Sequence, residues 1–305
     1  MPFLSSFRNR RRAHVTAMLA AVLAGAAVAV STGCSALDAK QRSWIFQPSN
    51  RSWGQADTAG MQDVWIAFRS EDGSDARLHG LWMPAAGSQA PLLLYLHGAR
   101  WNVGTSAPRI RRLNSLGFSV LAVDYRGFGE SSAALPSEQS AREDARAAWN
   151  WLAGQAPGRP RYLFGHSLGG AIAIDLASQT DDEAGVMVES TFTSIADVVS
   201  TMRWGWLPVG PLITQRFASA DKVAAIRSPL LVVHGTADAL IPSDLGRRLY
   251  EAASEPKRFI LVDGGTHHNT QARAMQQYRA ALKDLFGLQP PQDKTARARP
   301  MAAGG

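Results

Sequence analysis

Gly165-His166-Ser167-Leu168-Gly169 reads G-x-S-x-G, and a further glycine, Gly170, follows directly. Before it runs Arg161-Tyr162-Leu163-Phe164, short, largely apolar and strand-like. After it runs Ala171-Ile172-Ala173-Ile174-Asp175-Leu176-Ala177, a good helix by composition. A serine at a sharp strand-to-helix turn is a nucleophile elbow. Such a turn is strained, and the residues around Ser167 must leave the backbone room to fold tightly. The helix then begins with its amides facing the reaction site. The competing reading is a glycine-rich turn carrying a solvated serine, and the pentapeptide alone does not separate the two.

The flanking chain alternates strands and helices. Val64–Phe68 and Leu78–Trp82 read as two strands joined by the turn-rich 71–75, a leading antiparallel hairpin. Pro91–Leu96 is a continuous apolar run, as in a strand covered on both faces. A helix is expected over about 106–116, a strand over Phe118–Val123 and a helix over 138–153. Further strands follow at Val186–Val188, Leu230–Val233 and Arg258–Val262. A last helix carries Met275, Tyr278, Leu282, Leu285 and Phe286 on one face. This alternation implies an α/β fold with a mostly parallel central sheet and helices on both sides. No internal repeat is visible, and 305 residues suit one large α/β domain.

A serine nucleophile needs a base, an orienting acid and an oxyanion hole. His234-Gly235-Thr236-Ala237-Asp238 follows one predicted strand and presents Asp238. Gly264-Gly265-Thr266-His267-His268 follows another and presents a histidine. His97-Gly98-Ala99 follows the 91–96 strand. His97 and His234, which precede glycines at strand ends, read as hydrogen-bonded structural residues. His166 is next to the serine, so the turn should direct its ring elsewhere. Asp263 reads as a loop cap, and Asp238 taken singly reads as a turn residue.

Six segments together carry a resemblance. They are Leu-Tyr-Leu-His-Gly (94–98), Asp-Tyr-Arg-Gly-Phe-Gly-Glu-Ser (124–131), Gly-His-Ser-Leu-Gly-Gly (165–170), Glu-Ser-Thr-Phe-Thr-Ser (189–194), Pro-Leu-Leu-Val-Val-His-Gly-Thr-Ala-Asp (229–238) and Gly-Thr-His (265–267). Over about residues 62–287 the chain resembles an α/β-hydrolase of the serine-hydrolase branch, which includes depalmitoylase-like and serine-aminopeptidase-like members. The chain order Ser, Asp, His agrees with that fold. The resemblance implies Ser167 as nucleophile, His267 as base and Asp238 as its orienting acid. It implies the backbone amides of Ala99 and Leu168 as the oxyanion hole. Relatives commonly have Asn after His-Gly, where this chain has Ala99, so only a backbone donor is expected there. An insertion at 192–222, rich in Trp204, Trp206 and Phe217, is expected to form an apolar lid. The implied activity is hydrolysis of small-molecule or lipid-borne esters or thioesters through an acyl-enzyme. The alternatives are a serine peptidase of the same fold and a non-catalytic envelope binding protein.

No cofactor or metal is implied. Gly127–Ser132 lacks the third glycine of G-x-G-x-x-G, there is no G-x-x-x-x-G-K, and His267-His268 are adjacent, so their side chains diverge. The sequence pI of about 10 does not indicate nucleic acid. Four arginines lie within residues 1–33, which hold no acid, so the body and tail keep +3 of the +7 net charge. The tail carries Lys294, Arg297 and Arg299 against Asp293, leaving the body at +1, with no basic face.

The N-terminus has a basic start, an Ala- and Val-rich run from Val15 to Val30, then Ser31-Thr32-Gly33-Cys34. This is the layout of an export signal. Its end resembles a bacterial lipobox, with Cys34 as the lipidated residue, although Ser31 departs from the preferred Leu. An uncleaved membrane anchor is the alternative. Cys34 is the single cysteine, so no disulfide forms within the chain. The expected organisation is a signal over 1–33, a tether and irregular entry over 34–60, the hydrolase domain over 61–288 and a disordered tail over 289–305. With Ser35 after the cysteine, the expected place is the outer membrane, facing the periplasm. Oligomeric state is not legible.

Overall fold

The structure is a computed structural model that describes residues 33–48, 57–202, 205–289 and 291. Residues 1–32 of the signal expected over 1–33 and nearly all of the tail lie outside the described residues, as does Trp204. Among the described residues, eight strands form one sheet in the order β1-β2-β4-β3-β5-β6-β7-β8. β1 (Gln62–Arg69) and β2 (Asp75–Met83) make the expected antiparallel hairpin. β2 pairs antiparallel with β4 (Ser119–Val123). From β4 onward, β3 (Leu92–Leu96), β5 (Arg161–His166), β6 (Gly185–Glu189), β7 (Leu230–Gly235) and β8 (Lys257–Val262) run parallel.

The apolar runs of the sequence become two cores because successive strand residues face opposite sides. Leu92, Leu94, Leu96, Val186, Val188, Leu230 and Val232 face one layer. Leu93, Tyr95, Met187, Leu231 and Val233 face the other. The first layer holds α3 (Glu138–Gln155), α4 (Leu168–Ala177) and α6 (Ser243–Ala252). The second holds α2 (Ala107–Ser115) and α8 (Met275–Phe286), with the short α7 (Thr270–Arg273) leading into α8. Both faces of the strands are therefore covered, and each buried Leu or Val contributes about 1.5–3 kcal/mol of transfer free energy. The start of α3 is fixed by reciprocal bonds: Ser137 Oγ accepts from the Ser140 amide at 3.0 Å, and Ser140 Oγ from the Ser137 amide at 2.8 Å.

The stretch expected to be a tether differs. Residues 33–46 are helical (α1), and Ile45 and Phe46 are buried. The Phe46 ring packs 5.8 Å from Phe217 and 6.5 Å from Phe128. Polar bonds hold the rest of α1 down. Gln41 Nε2 donates to the Leu212 carbonyl at 2.7 Å, Gln215 Nε2 to Asp38 at 2.8 Å, and Arg42 Nε to the Pro136 carbonyl at 3.0 Å. Cys34 is exposed near the start of this helix. Among the described residues, no helix is long and apolar enough to cross a membrane.

The described residues of the 192–222 insertion form one short helix, α5 (Ile195–Ser200), and a 3-10 turn at Gly210–Leu212. Phe217 turns into the core against α1, and Trp206 is 74% exposed.

Candidate active site

Parallel strands deliver their C-terminal ends to one edge of the sheet, where ligands bind in such folds. β5 ends at His166, and Ser167 follows with φ 56° and ψ −123°, a conformation that costs an L-residue about 1–3 kcal/mol. Two glycines make the turn feasible. A Cβ on Gly165 would lie 2.3 Å from the Gly169 carbonyl oxygen, and one on Gly169 would lie 2.1 Å from that of Leu96. The strained serine is held at both ends of its backbone. Its amide donates to the Glu189 carbonyl at 2.9 Å, and its carbonyl accepts from Thr191 Oγ1 at 2.9 Å.

The structure brings together the three side chains singled out in the sequence. Ser167 Oγ lies 3.0 Å from His267 Nε2, and His267 Nδ1 lies 2.8 Å from Asp238 Oδ2. All three residues are buried. The other carboxylate oxygen of Asp238 accepts from the amides of Leu240 (3.0 Å) and Ile241 (2.9 Å). Burial opposes charge on Asp238. The neighbouring His234, at 3.6 Å, together with His267 and the amides, nevertheless holds its carboxyl far below the usual range. An ionised Asp238 accepts from His267 Nδ1–H, which leaves the Nε2 lone pair facing the serine hydroxyl.

His97 and His234 are structural, as expected. His234 Nε2 donates to the Ile241 carbonyl at 2.9 Å, and His97 approaches Asp124 at 3.3 Å. Asp263 stays at the surface beside Thr236, 3.4 Å from its hydroxyl. His166 corrects the sequence expectation. Its ring does not turn away from the site but lies beneath His267, and its Nε2 donates to the His267 carbonyl at 2.9 Å. Burial first, and then the charge of Arg109, push its pKa well below the ordinary value, so it stays neutral.

The loop after β3 is set by residues to which the sequence reading gave no role. Asp124 accepts from the Val103 amide at 2.9 Å and lies against His97 and His79. Burial disfavours its charge, but the histidine contacts keep its carboxyl below the usual range. Tyr125 O–H donates to the His97 carbonyl at 3.1 Å. Gly98 packs so closely that a Cβ there would lie 3.0 Å from the Ser167 Cβ. Arg100 takes a left-handed conformation, φ 68°, and its amide donates to the Phe46 carbonyl at 3.0 Å. The end of α1 thus fixes the turn that carries Ala99. Leu168 is the first residue of α4, so its amide has no intrahelical partner.

A cavity of about 590 Å³ opens onto Ser167, within the range of small-molecule sites. Its wall is mainly apolar, with Trp44 and Ile45 from α1, Phe192, Ile195, Val198 and Met202 from the insertion. Within the 192–222 insertion, the described residues that line it lie in 192–202, and Trp206 and Phe217 are not among them. Among the described residues, no Asp or Glu lines this cavity, and no cluster of His, Cys, Asp or Glu is arranged to hold a metal ion.

This sheet, elbow and hydrogen-bonded chain define the class of α/β-hydrolases. A sequence model described as serine aminopeptidase, S33, matches residues 87–219. An uncharacterized protein of Mycobacterium tuberculosis H37Rv is 34% identical over 270 residues, covering 87% of this chain and 92% of that one. The lysophosphatidylserine lipase ABHD12 of Gallus gallus is 33% identical over 202 residues, covering 59% of this chain and 52% of the lipase. Among solved structures, an esterase of Pyrococcus furiosus, Pf2001, superposes with a TM-score of 0.62 at 21% identity, covering 79% of this chain and 98% of the esterase. The chain belongs to the α/β-hydrolases, and residues 87–219 carry its similarity to the S33 serine aminopeptidases.

Proposed function

We propose that this protein is a serine esterase or thioesterase that works through an acyl-enzyme. The observation that carries the reading is the continuous chain Asp238–His267–Ser167, with its serine opening onto an apolar cavity. Ser167 Oγ attacks the substrate carbonyl while His267 Nε2 takes the hydroxyl proton. The carbonyl oxygen becomes an oxyanion, met by the amides of Ala99 and Leu168, each worth about 3 kcal/mol of transition-state stabilisation. Collapse breaks the ester bond, and His267 returns the proton to the departing alcohol or thiol. Water then attacks the acyl-Ser167 ester by the same route, releasing the acid and restoring the hydroxyl. Asp238 keeps His267 in the required tautomer and stabilises its cation.

Peptidase action on a free amino terminus is less well supported, because no carboxylate among the described cavity residues would pair with an ammonium group. The esterase and lipase among the similar proteins support an acyl ester. We place the enzyme in the cell envelope, anchored to lipid through Cys34 and facing the periplasm from the outer membrane. The test is a panel of p-nitrophenyl esters from acetate to palmitate beside a peptide amide. Short to medium esters should be cleaved fastest; faster cleavage of the amide overturns the reading.

A further inference from the structure

A second cavity of about 200 Å³ adjoins the first. The two share Trp101, Thr105, His166 and His268 in their walls. The rings of Trp101 and His268 lie 5.5 Å apart at this divide. The smaller cavity has a different chemistry from its neighbour. Arg109 and Arg112, three residues apart on α2 and so on one helix face, both line it.

The two arginines are not equivalent. Arg109 is buried and pairs with Glu189, whose second oxygen accepts from Tyr278 O–H at 2.7 Å. That charge is compensated inside the fold. Arg112 donates from Nε to Gln271 Oε1 at 2.8 Å, and among the described residues no carboxylate comes within ion-pair distance of it. Gln271 is fully buried and neutral, and its own Nε2 has no partner. It orients the guanidinium without cancelling its charge. Burial first, and the neighbouring Arg109 second, pull Arg112 below its usual basicity. An arginine fork held in place, half-buried and without an ion-pair partner among the described residues matches a planar or tetrahedral oxyanion.

We infer that the smaller cavity is an anion subsite that holds a phosphate or carboxylate carried on the leaving-group side of the ester, with Arg112 as its ion-pairing residue. This rests on the esterase reading of the neighbouring serine. The acyl chain occupies the apolar cavity, the scissile carbonyl meets Ser167, and the anionic group crosses the Trp101–His268 divide. The enzyme thus selects anionic acyl esters over neutral ones of the same chain length.

The experiment compares octanoyl-glycerol with octanoyl-glycerol 3-phosphate at low ionic strength. The expected result is a kcat/KM at least about tenfold higher for the phosphate ester, the scale of a charge-assisted arginine contact. Arg112→Gln should bring that ratio near one, and Arg112→Lys should restore part of it. Equal kcat/KM values in the wild type, or a preference that survives Arg112→Gln, would overturn the subsite. Inorganic phosphate separates a free anion from a substrate group. Altered turnover of the neutral ester by phosphate, without preference for the phosphate ester, also counts against it. If neither ester is cleaved, the esterase reading fails on its own. Calorimetric binding of glycerol 3-phosphate to the Ser167→Ala protein, weakened at least tenfold by adding Arg112→Gln, then reads the subsite directly, and absence of binding rejects it.

Discussion

His166 Nε2 donates to the backbone carbonyl of His267 across 2.9 Å, so the residue before Ser167, the proposed nucleophile, holds its proposed base. The two histidines are 101 positions apart in sequence, and the bond ties the end of β5 to the loop after β8. Small displacements of a reacting group cost large factors in rate. His166→Phe keeps a ring in the space but removes the bond. It should lower kcat/KM by about tenfold to a hundredfold, mainly through kcat. An unchanged kcat in ester hydrolysis would remove His166 from any positioning role.

The same residue predicts a pH dependence of stability. In the unfolded chain it takes up a proton below about pH 6.5. In the fold, burial and then Arg109 and His267, with His268 also nearby, hold it neutral to much lower pH. The unfolded state therefore binds more protons as pH falls, and the stability from this group is complete above about pH 6.5 and is lost below it. Denaturant midpoints between pH 7.5 and pH 5 should fall more steeply for the wild type than for His166→Phe. Parallel curves would assign the shift elsewhere.

Substitutions in the hydrogen-bonded chain separate two adjacent histidines. Ser167→Ala and His267→Ala should each reduce ester turnover by about four orders of magnitude or more, as for serine triads generally. Asp238→Asn should cost about as much by favouring the wrong tautomer. His268→Ala should cost less than about tenfold for a neutral ester, because His268 faces Trp101 at the cavity divide and makes no bond to Ser167. Circular dichroism on each variant checks that folding is retained. A dead His268 variant beside an active His267 variant would reverse the assignment.

Phe46→Ala tests the helix that precedes the sheet of the hydrolase fold. The ring is fully buried against Phe128 and Phe217, and its loss should destabilise the fold by about 3–5 kcal/mol. A chain beginning at Ala36 retains most of α1 and should be folded and active. One beginning at Pro48 also loses the acceptor for the Arg100 amide, so its kcat should fall along with its melting temperature. Full activity of the shorter chain would show that the Ala99 turn holds its shape unaided.

Cys34→Ser should block lipid attachment while leaving the turnover of soluble esters in place. The check is the mass of the mature N-terminus from membranes. An unmodified chain that begins before residue 34 would indicate an uncleaved anchor.

The sheet was legible because its strands are buried on both faces and therefore read as unbroken apolar runs, as in Leu92–Leu96 and Leu230–Val233. Ser167, Asp238 and His267 were legible because each follows such a run in the family's order. Other features carry no local signal. α1 spends most of its length on polar bonds through Asp38, Gln41 and Arg42 and buries only Ile45 and Phe46, so it reads as a tether. The Arg109–Glu189 pair joins residues 80 positions apart, and the buried ring of His166 depends on where the 264–268 loop returns. Phe217 and Trp206 look alike as lid aromatics until the fold sends one into the core and the other to solvent.

The bond from Arg100 to Phe46 also sets a length. Helix α1 covers fourteen residues from 33 to 46, a rigid rod of about 21 Å at 1.5 Å per residue. One end carries Cys34 and the other grips the turn beside Ser167. On the proposed anchoring, the enzyme is not a float on a slack line but a lamp on a fixed bracket. Its reach from the bilayer is capped near that rod length, whatever the crowding around it. Esters presented at the lipid surface fall within its working radius, and those held well beyond it must come to the enzyme by diffusion.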